Sequence, residues 1–91
     1  MQSEEECLVR ALLAQTFDIR KMKKQCNNQE CFNHPEKEVM LYEYRKNSRR
    51  HLFSAYLCSS HLEGVSELLV KIRKSLPRVI FETEQKDIGG R

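Results

Sequence analysis

A small α+β domain, with an N-terminal helix, a β-hairpin and a C-terminal helix, is what these 91 residues predict. Three observations lead there. Two amphipathic stretches, Glu4 to Lys24 and His61 to Ser75, repeat apolar residues at helical spacing. Between them lie two runs of strand-favouring residues, joined by a short polar link. Three of the four cysteines and two of the three histidines flank those strands in two short clusters, Cys26-x4-Cys31-x2-His34 and Cys58-x2-His61.

A chain of this length is one domain with a modest core, since 40% of its residues are apolar and tryptophan is absent. Domains so small bury a low fraction of their surface and commonly need a staple. The first residues are acidic, which is not the start of a secretory signal, and no apolar run approaches membrane-spanning length. A cytoplasmic or nuclear protein without a membrane partner is expected, and in those compartments closely spaced cysteines bind metal rather than form disulfides. Net charge is +3, with residues 1 to 19 negative and the remainder near +6. That balance is too weak to name a polyanionic partner, so any such case must rest on local patches.

Taken in order, Ser3-x-x-Glu6 has the form of a capping box and opens a helix expected to run from about Glu4 to Lys24, with a bend near Thr16 to Asp18. Leu8, Leu12, Ile19 and Met22 form its apolar stripe, widened by Val9, Leu13 and Phe17. Arg20, Lys21, Lys23 and Lys24 would suit the negative end of its dipole. Cys7 falls on the apolar face and is expected to be a small buried hydrophobe. Residues 25 to 37 carry Asn27, Asn28, Asn33 and Pro35, the chemistry of a tight loop. Glu38 to Tyr44 and His51 to Leu57 are expected to form an antiparallel hairpin around an Arg45 to Arg50 connection. Met40, Tyr42 and Tyr44 share one face of the first strand, and Phe53, Ala55 and Leu57 one face of the second; the pattern leaves open which faces are buried.

Ser60-x-x-Glu63 repeats the capping-box pattern before a helix from His61 to Ser75, which Pro77 ends. Gly64 costs that helix about 1 kcal/mol relative to alanine, and close backbone approach near a metal is the expected compensation. Arg78 to Thr83 favours a short strand, and residues 84 to 91 read as a flexible tail. The domain is therefore expected over residues 1 to 83.

Thiolates and imidazoles at short spacing are what tetrahedral zinc selects, so one structural Zn2+ is expected. Five side chains compete for four positions. The thiolate-rich set is Cys26, Cys31, Cys58 and His61; the alternative, two C-x2-H pairs, substitutes His34 and leaves Cys26 out. A shell closed by four protein ligands has no open position for water or substrate, which points to folding rather than catalysis.

A two-ligand knuckle, a hairpin, and two further ligands at the first turn of a helix resemble the treble-clef zinc fingers. The resemblance covers residues 26 to 76 and departs from the commonest pattern in its x4 knuckle. It implies a treble-clef-like unit and leaves function open, because that fold group includes nucleic-acid binders, interaction modules and a few nucleases. His51 is the lone hairpin histidine, and no nucleophile, base and orienting group can be assembled, so an enzyme is not expected. Arg45, Lys46, Arg49 and Arg50 place four cations at the hairpin connection beside Tyr42, Tyr44, Phe53 and Tyr56. A nucleic-acid-binding regulator or accessory protein, contacting DNA or RNA phosphates through this basic tip, is the leading expectation. The alternative is a protein-interaction or dimerisation module that uses the N-terminal helix.

Overall fold

Leu8, Val9, Leu12 and Leu13 recur at helical spacing, and helix α1 (Glu4–Ala14) forms there with Glu4, Glu5 and Glu6 in its first turn. The computed structural model describes residues 4–88, so the expected cap at Ser3 lies outside the described residues. The helix ends ten residues earlier than Lys24. Backbone from Thr16 to Asp18 leaves it to run antiparallel to residues 27–29: Asp18 N–H donates to Asn27 O (2.6 Å), Gln29 N–H donates to Thr16 O (3.0 Å), and Phe17 pairs with Asn28. Helical spacing cannot reveal such pairing, because its partner arrives from another segment. Asp18 then caps a 3-10 turn, Ile19–Lys21, by accepting from Arg20 N–H (3.1 Å). The basic residues expected to close the helix thus lie beyond its end. Cys7 is exposed rather than buried; the inward residues of α1 are Val9 and Leu13.

Strands β1 (Lys37–Arg45) and β2 (Ser48–Leu57) form the expected hairpin, but with a two-residue turn at Lys46 and Asn47 in place of a six-residue connection. Lys46 takes φ 53° there, the left-handed region. On β1 the buried face is Val39, Leu41 and Glu43, and on β2 it includes Phe53, Ala55 and Leu57. The register shifts between Leu41 and Tyr42, and this bulge lets consecutive Leu52 and Phe53 both be buried. That is why the alternation in β2 read imperfectly.

Helix α2 (Glu63–Ser75) packs Val65, Leu68 and Ile72 into the same core as Val9 and Leu13 of α1, which lies against α2. Strand β3 (Ile80–Asp87) pairs antiparallel with β1, giving the order β2-β1-β3. Residues 84 to 87, expected in the tail, extend this strand, with Phe81 as its buried anchor. The strand expected over Arg78 to Thr83 is thus present but longer, and polar alternation in Glu82 to Asp87 hid its second half, because only Phe81 on its inner face is apolar. Among the described residues no helix is long and apolar enough to cross a membrane.

Candidate metal centre

The far end of the hairpin from its turn delivers the first half of the site. Cys58 directly follows Leu57, the last residue of β2, and a 3-10 turn (Ser59–His61), closed by His61 N–H to Cys58 O (3.1 Å), lifts the imidazole back over the thiol. The capping box expected from Ser60 does not form, since the residue before α2 is Leu62, without a side-chain cap. Ser59 instead donates to Glu36 through its hydroxyl (3.2 Å) and its backbone N–H (3.4 Å).

The other half is the loop from Cys26 to Cys31. Asn27, fully buried, anchors it to the edge of β2: its N–H donates to Tyr56 O (2.7 Å) and its Oδ1 accepts from Tyr56 N–H (2.9 Å). Its amide also donates to Met22 O and Gln25 O, each at 3.0 Å. Asn27 thus takes the place of a neighbouring strand residue. Turn propensity could flag an asparagine here, but not that role. Cys26 N–H donates to Asn33 O (2.8 Å), closing the loop behind the ligands.

These elements bring Cys26, Cys31, Cys58 and His61 together with all four ligand atoms within 4.8 Å of one another. Cys31 Sγ lies 3.8 Å from Cys58 Sγ, Cys26 Sγ 3.6 Å from His61 Nδ1, and Cys58 Sγ 3.3 Å from the same Nδ1. The three thiols are buried and His61 is half-buried. Four such groups can hold one metal ion. His34 is exposed and does not join the cluster, so the set that substitutes it for Cys26 is not assembled.

Proton affinities within the group diverge. Burial pushes the Cys26 thiol up to about 11, against backbone hydrogen bonds from Cys58 and Asn28. Burial acts upward on Cys58 as well, but hydrogen bonds from His61, Asn33 and Cys26 outweigh it and bring that thiol down to about 6. Cys58 is therefore a thiolate at neutral pH, while Cys26 surrenders its proton only to a competing cation. Asn33 Nδ2, 3.8 Å from Cys58 Sγ, is a supporting donor that the sequence reading passed over as loop.

At the hairpin turn three of the four expected phosphate-contacting cations meet carboxylates, one on the hairpin itself and others from α1 and β3. Glu43 is 2% exposed. It accepts from Arg45 Nε (2.6 Å) on one oxygen and from Arg50 Nε (3.2 Å) and Nη2 (2.9 Å) on the other. Burial raises the Glu43 carboxyl, and the two guanidiniums overcome this and hold it below the ordinary carboxylate value. Arg45 also pairs with Glu5, and Arg50 Nη1 lies 3.6 Å from Glu6. Arg49 stacks 3.8 Å over the Tyr42 ring and donates to Glu84 (2.9 Å). His51 sits edge-on to Tyr42 with its Nε2 2.8 Å from Ser54 Oγ.

Gly64 does make a close approach, but to Phe17 rather than to the metal ligands: a Cβ there would lie 3.1 Å from Phe17 Cζ. Beside the turn, a groove of about 680 Å³ is lined by Tyr44, Arg45, Lys46, Asn47, Ser48, Arg78, Val79 and Ile80. It joins two basic segments far apart in sequence, and none of its lining residues is acidic. No protein family, curated protein or solved structure matches this chain.

Proposed function

We propose that the protein is a structural-zinc domain of treble-clef type that contacts nucleic-acid phosphates through the groove beside its hairpin turn. Zn–S bonds of about 2.3 Å and Zn–N bonds of about 2.0 Å at tetrahedral angles set S···S edges of about 3.8 Å and S···N edges of about 3.5 Å. The 3.8, 3.6 and 3.3 Å separations in the cluster fit those edges. Three sulfurs with one imidazole favour zinc over harder divalent ions. With four protein ligands the ion has no open position, so it serves folding. The order of knuckle, hairpin and ligands just before α2 supports the treble-clef reading; α1 and β3 are additions to it.

The observation that carries the nucleic-acid reading is the groove, which Lys46 and Arg78 line together with no acidic residue in its lining, and where Tyr44 and exposed Ile80 offer apolar contact. This shifts the phosphate contacts from Arg45, Arg49 and Arg50, which carboxylates already engage, to Lys46 and Arg78. The test is binding of the zinc-loaded protein to duplex DNA and to single-stranded RNA across salt concentrations. Replacing Lys46 and Arg78 together by alanine should lower affinity and flatten the log–log salt slope on duplex DNA by about 2, one for each lost phosphate contact. An unchanged slope with unchanged affinity would remove the groove from the interface.

A further inference from the structure

Within the basic run from Arg20 to Lys24, Lys21 turns its charge inward. Arg20 reaches Asp18 at the surface (2.9 Å), and the Lys23 ammonium lies 6.0 Å from the centre of the Tyr56 ring. The Lys21 ammonium instead enters the Cys26–Cys31 loop and faces four backbone carbonyls: Asn28 O at 2.8 Å, Cys31 O at 3.0 Å, Gln29 O at 3.2 Å and Cys26 O at 3.3 Å. Phe32 covers it, with the ring centre 5.4 Å away. Two of those carbonyls belong to metal-binding cysteines, and the other two to residues between them.

The geometry has a reason in the length of the loop. Four residues separate Cys26 from Cys31, and the loop turns several carbonyl oxygens toward one point. Carbonyls gathered this way repel one another and need a cation or several donors at their centre. A lysine ammonium is a compact charge with three protons that can be shared among them, whereas the flat fork of an arginine addresses two acceptors in a plane. The same charge offsets the shell itself: three thiolates, a neutral imidazole and a divalent ion leave one net negative charge.

We propose that Lys21 is the positioning residue of the metal knuckle, its ammonium holding the loop in the shape that aims Cys26 and Cys31 at the ion. This rests on the zinc reading above. It also ties the segment after α1 to the site, because the 3-10 turn that carries Lys21 is capped by Asp18, whose N–H bonds Asn27 O (2.6 Å). Residues that orient metal ligands from outside the first shell commonly matter about 10- to 100-fold in metal affinity.

The experiment compares the full chain with Lys21→Met, Lys21→Arg and Lys24→Met, measuring zinc affinity by chelator competition and the absorption spectrum of the cobalt(II)-substituted protein at saturation. Lys21→Met should bind zinc about 10- to 100-fold more weakly and show altered cobalt d–d and thiolate charge-transfer bands, because the ligand angles relax. Lys21→Arg, which keeps the charge but not the shape, should fall between it and the wild type. Lys24→Met, the same change of charge on an exposed neighbour, should match the wild type. Equal zinc affinity in Lys21→Met, an unchanged cobalt spectrum at saturation, or an equal loss in Lys24→Met each overturns the assignment. If Lys21→Met does not fold, Lys21→Arg decides alone, and wild-type affinity with a wild-type spectrum overturns it. A wild-type chain that binds no zinc fails the metal reading itself, before any variant is compared.

Discussion

The metal cluster and the turn lie at opposite ends of one hairpin, and each began as a cluster of like residues in the sequence. At the cluster end the thiols and the imidazole converge, because the supporting loop supplies donors to sulfur and Lys21 neutralises the carbonyls behind them. At the turn end the arginines are taken up by carboxylates: Glu43 of β1 holds Arg45 and Arg50 together, Glu5 and Glu6 of α1 add to them, and Glu84 of β3 takes Arg49. Ligand spacing survives folding because four groups able to hold one small ion need only short-range chemistry to stay together. Charge clustering does not survive, since opposite charges anywhere in the chain answer it.

The largest break in this comparison comes from the metal. Cys58→Ser, or removal of the ion by a chelator, should unfold the loop and loosen the edge of β2 that Asn27 holds, with loss of several kcal/mol of stability, on the order expected for structural zinc in a small domain. Near-identical denaturation curves with and without metal would show that the core stands alone. Acidity sharpens the point. At a pH well above about 6, where Cys58 is ionised, and well below about 11, where Cys26 still carries its proton, uptake of the ion must displace at least that one proton. Zinc affinity should therefore rise by about tenfold or more per pH unit across the neutral range and steepen below the Cys58 value. A flat profile in isothermal titrations would contradict it.

A smaller effect is expected at the turn. Glu43→Gln leaves two guanidiniums around a neutral amide, which should cost about 1 to 3 kcal/mol, held down because both arginines are half-exposed. The Glu43 carboxyl lies below its ordinary value in the folded chain. Its contribution is thus complete above the unfolded carboxylate value of about 4.3 and disappears as pH falls through the lower folded value. Urea unfolding should show a gap between wild type and variant at pH 7 that closes on acidification. A gap of equal size at acid pH would mean that the charge of Glu43 is not what holds the arginines.

The same contrast explains what the sequence disclosed. Helical and strand periodicity located α1, α2 and the hairpin, and ligand spacing placed Cys26, Cys31, Cys58 and His61 in one group, because these signals depend on neighbours a few residues away. The readings that missed involve partners from far along the chain. The end of α1 is set by residues 27–29, the second half of β3 by β1, and the fate of Arg49 by Glu84. Lys21 looked like a helix-end cation because nothing local says that four carbonyls wait for it.

Gly64 probes the cluster end through Phe17 and gives the smallest effect. Alanine in the first turn of α2 should gain part of the helix preference of about 1 kcal/mol, yet its Cβ would lie 3.1 Å from a Phe17 ring that is 2% exposed. Phe17 is bound in turn to the loop by its pairing with Asn28, so it can shift little while that loop is held by metal. With zinc bound, crowding should outweigh helix preference and Gly64→Ala should destabilise the protein by about 0.5 to 1 kcal/mol. Without zinc the loop loosens, the ring can move, and the same substitution should become neutral or mildly stabilising. Thermal denaturation of both proteins, loaded and chelated, reads the change of sign. An identical effect in both states would mean that the metal does not restrain Phe17, and that the ring is fixed by the core alone.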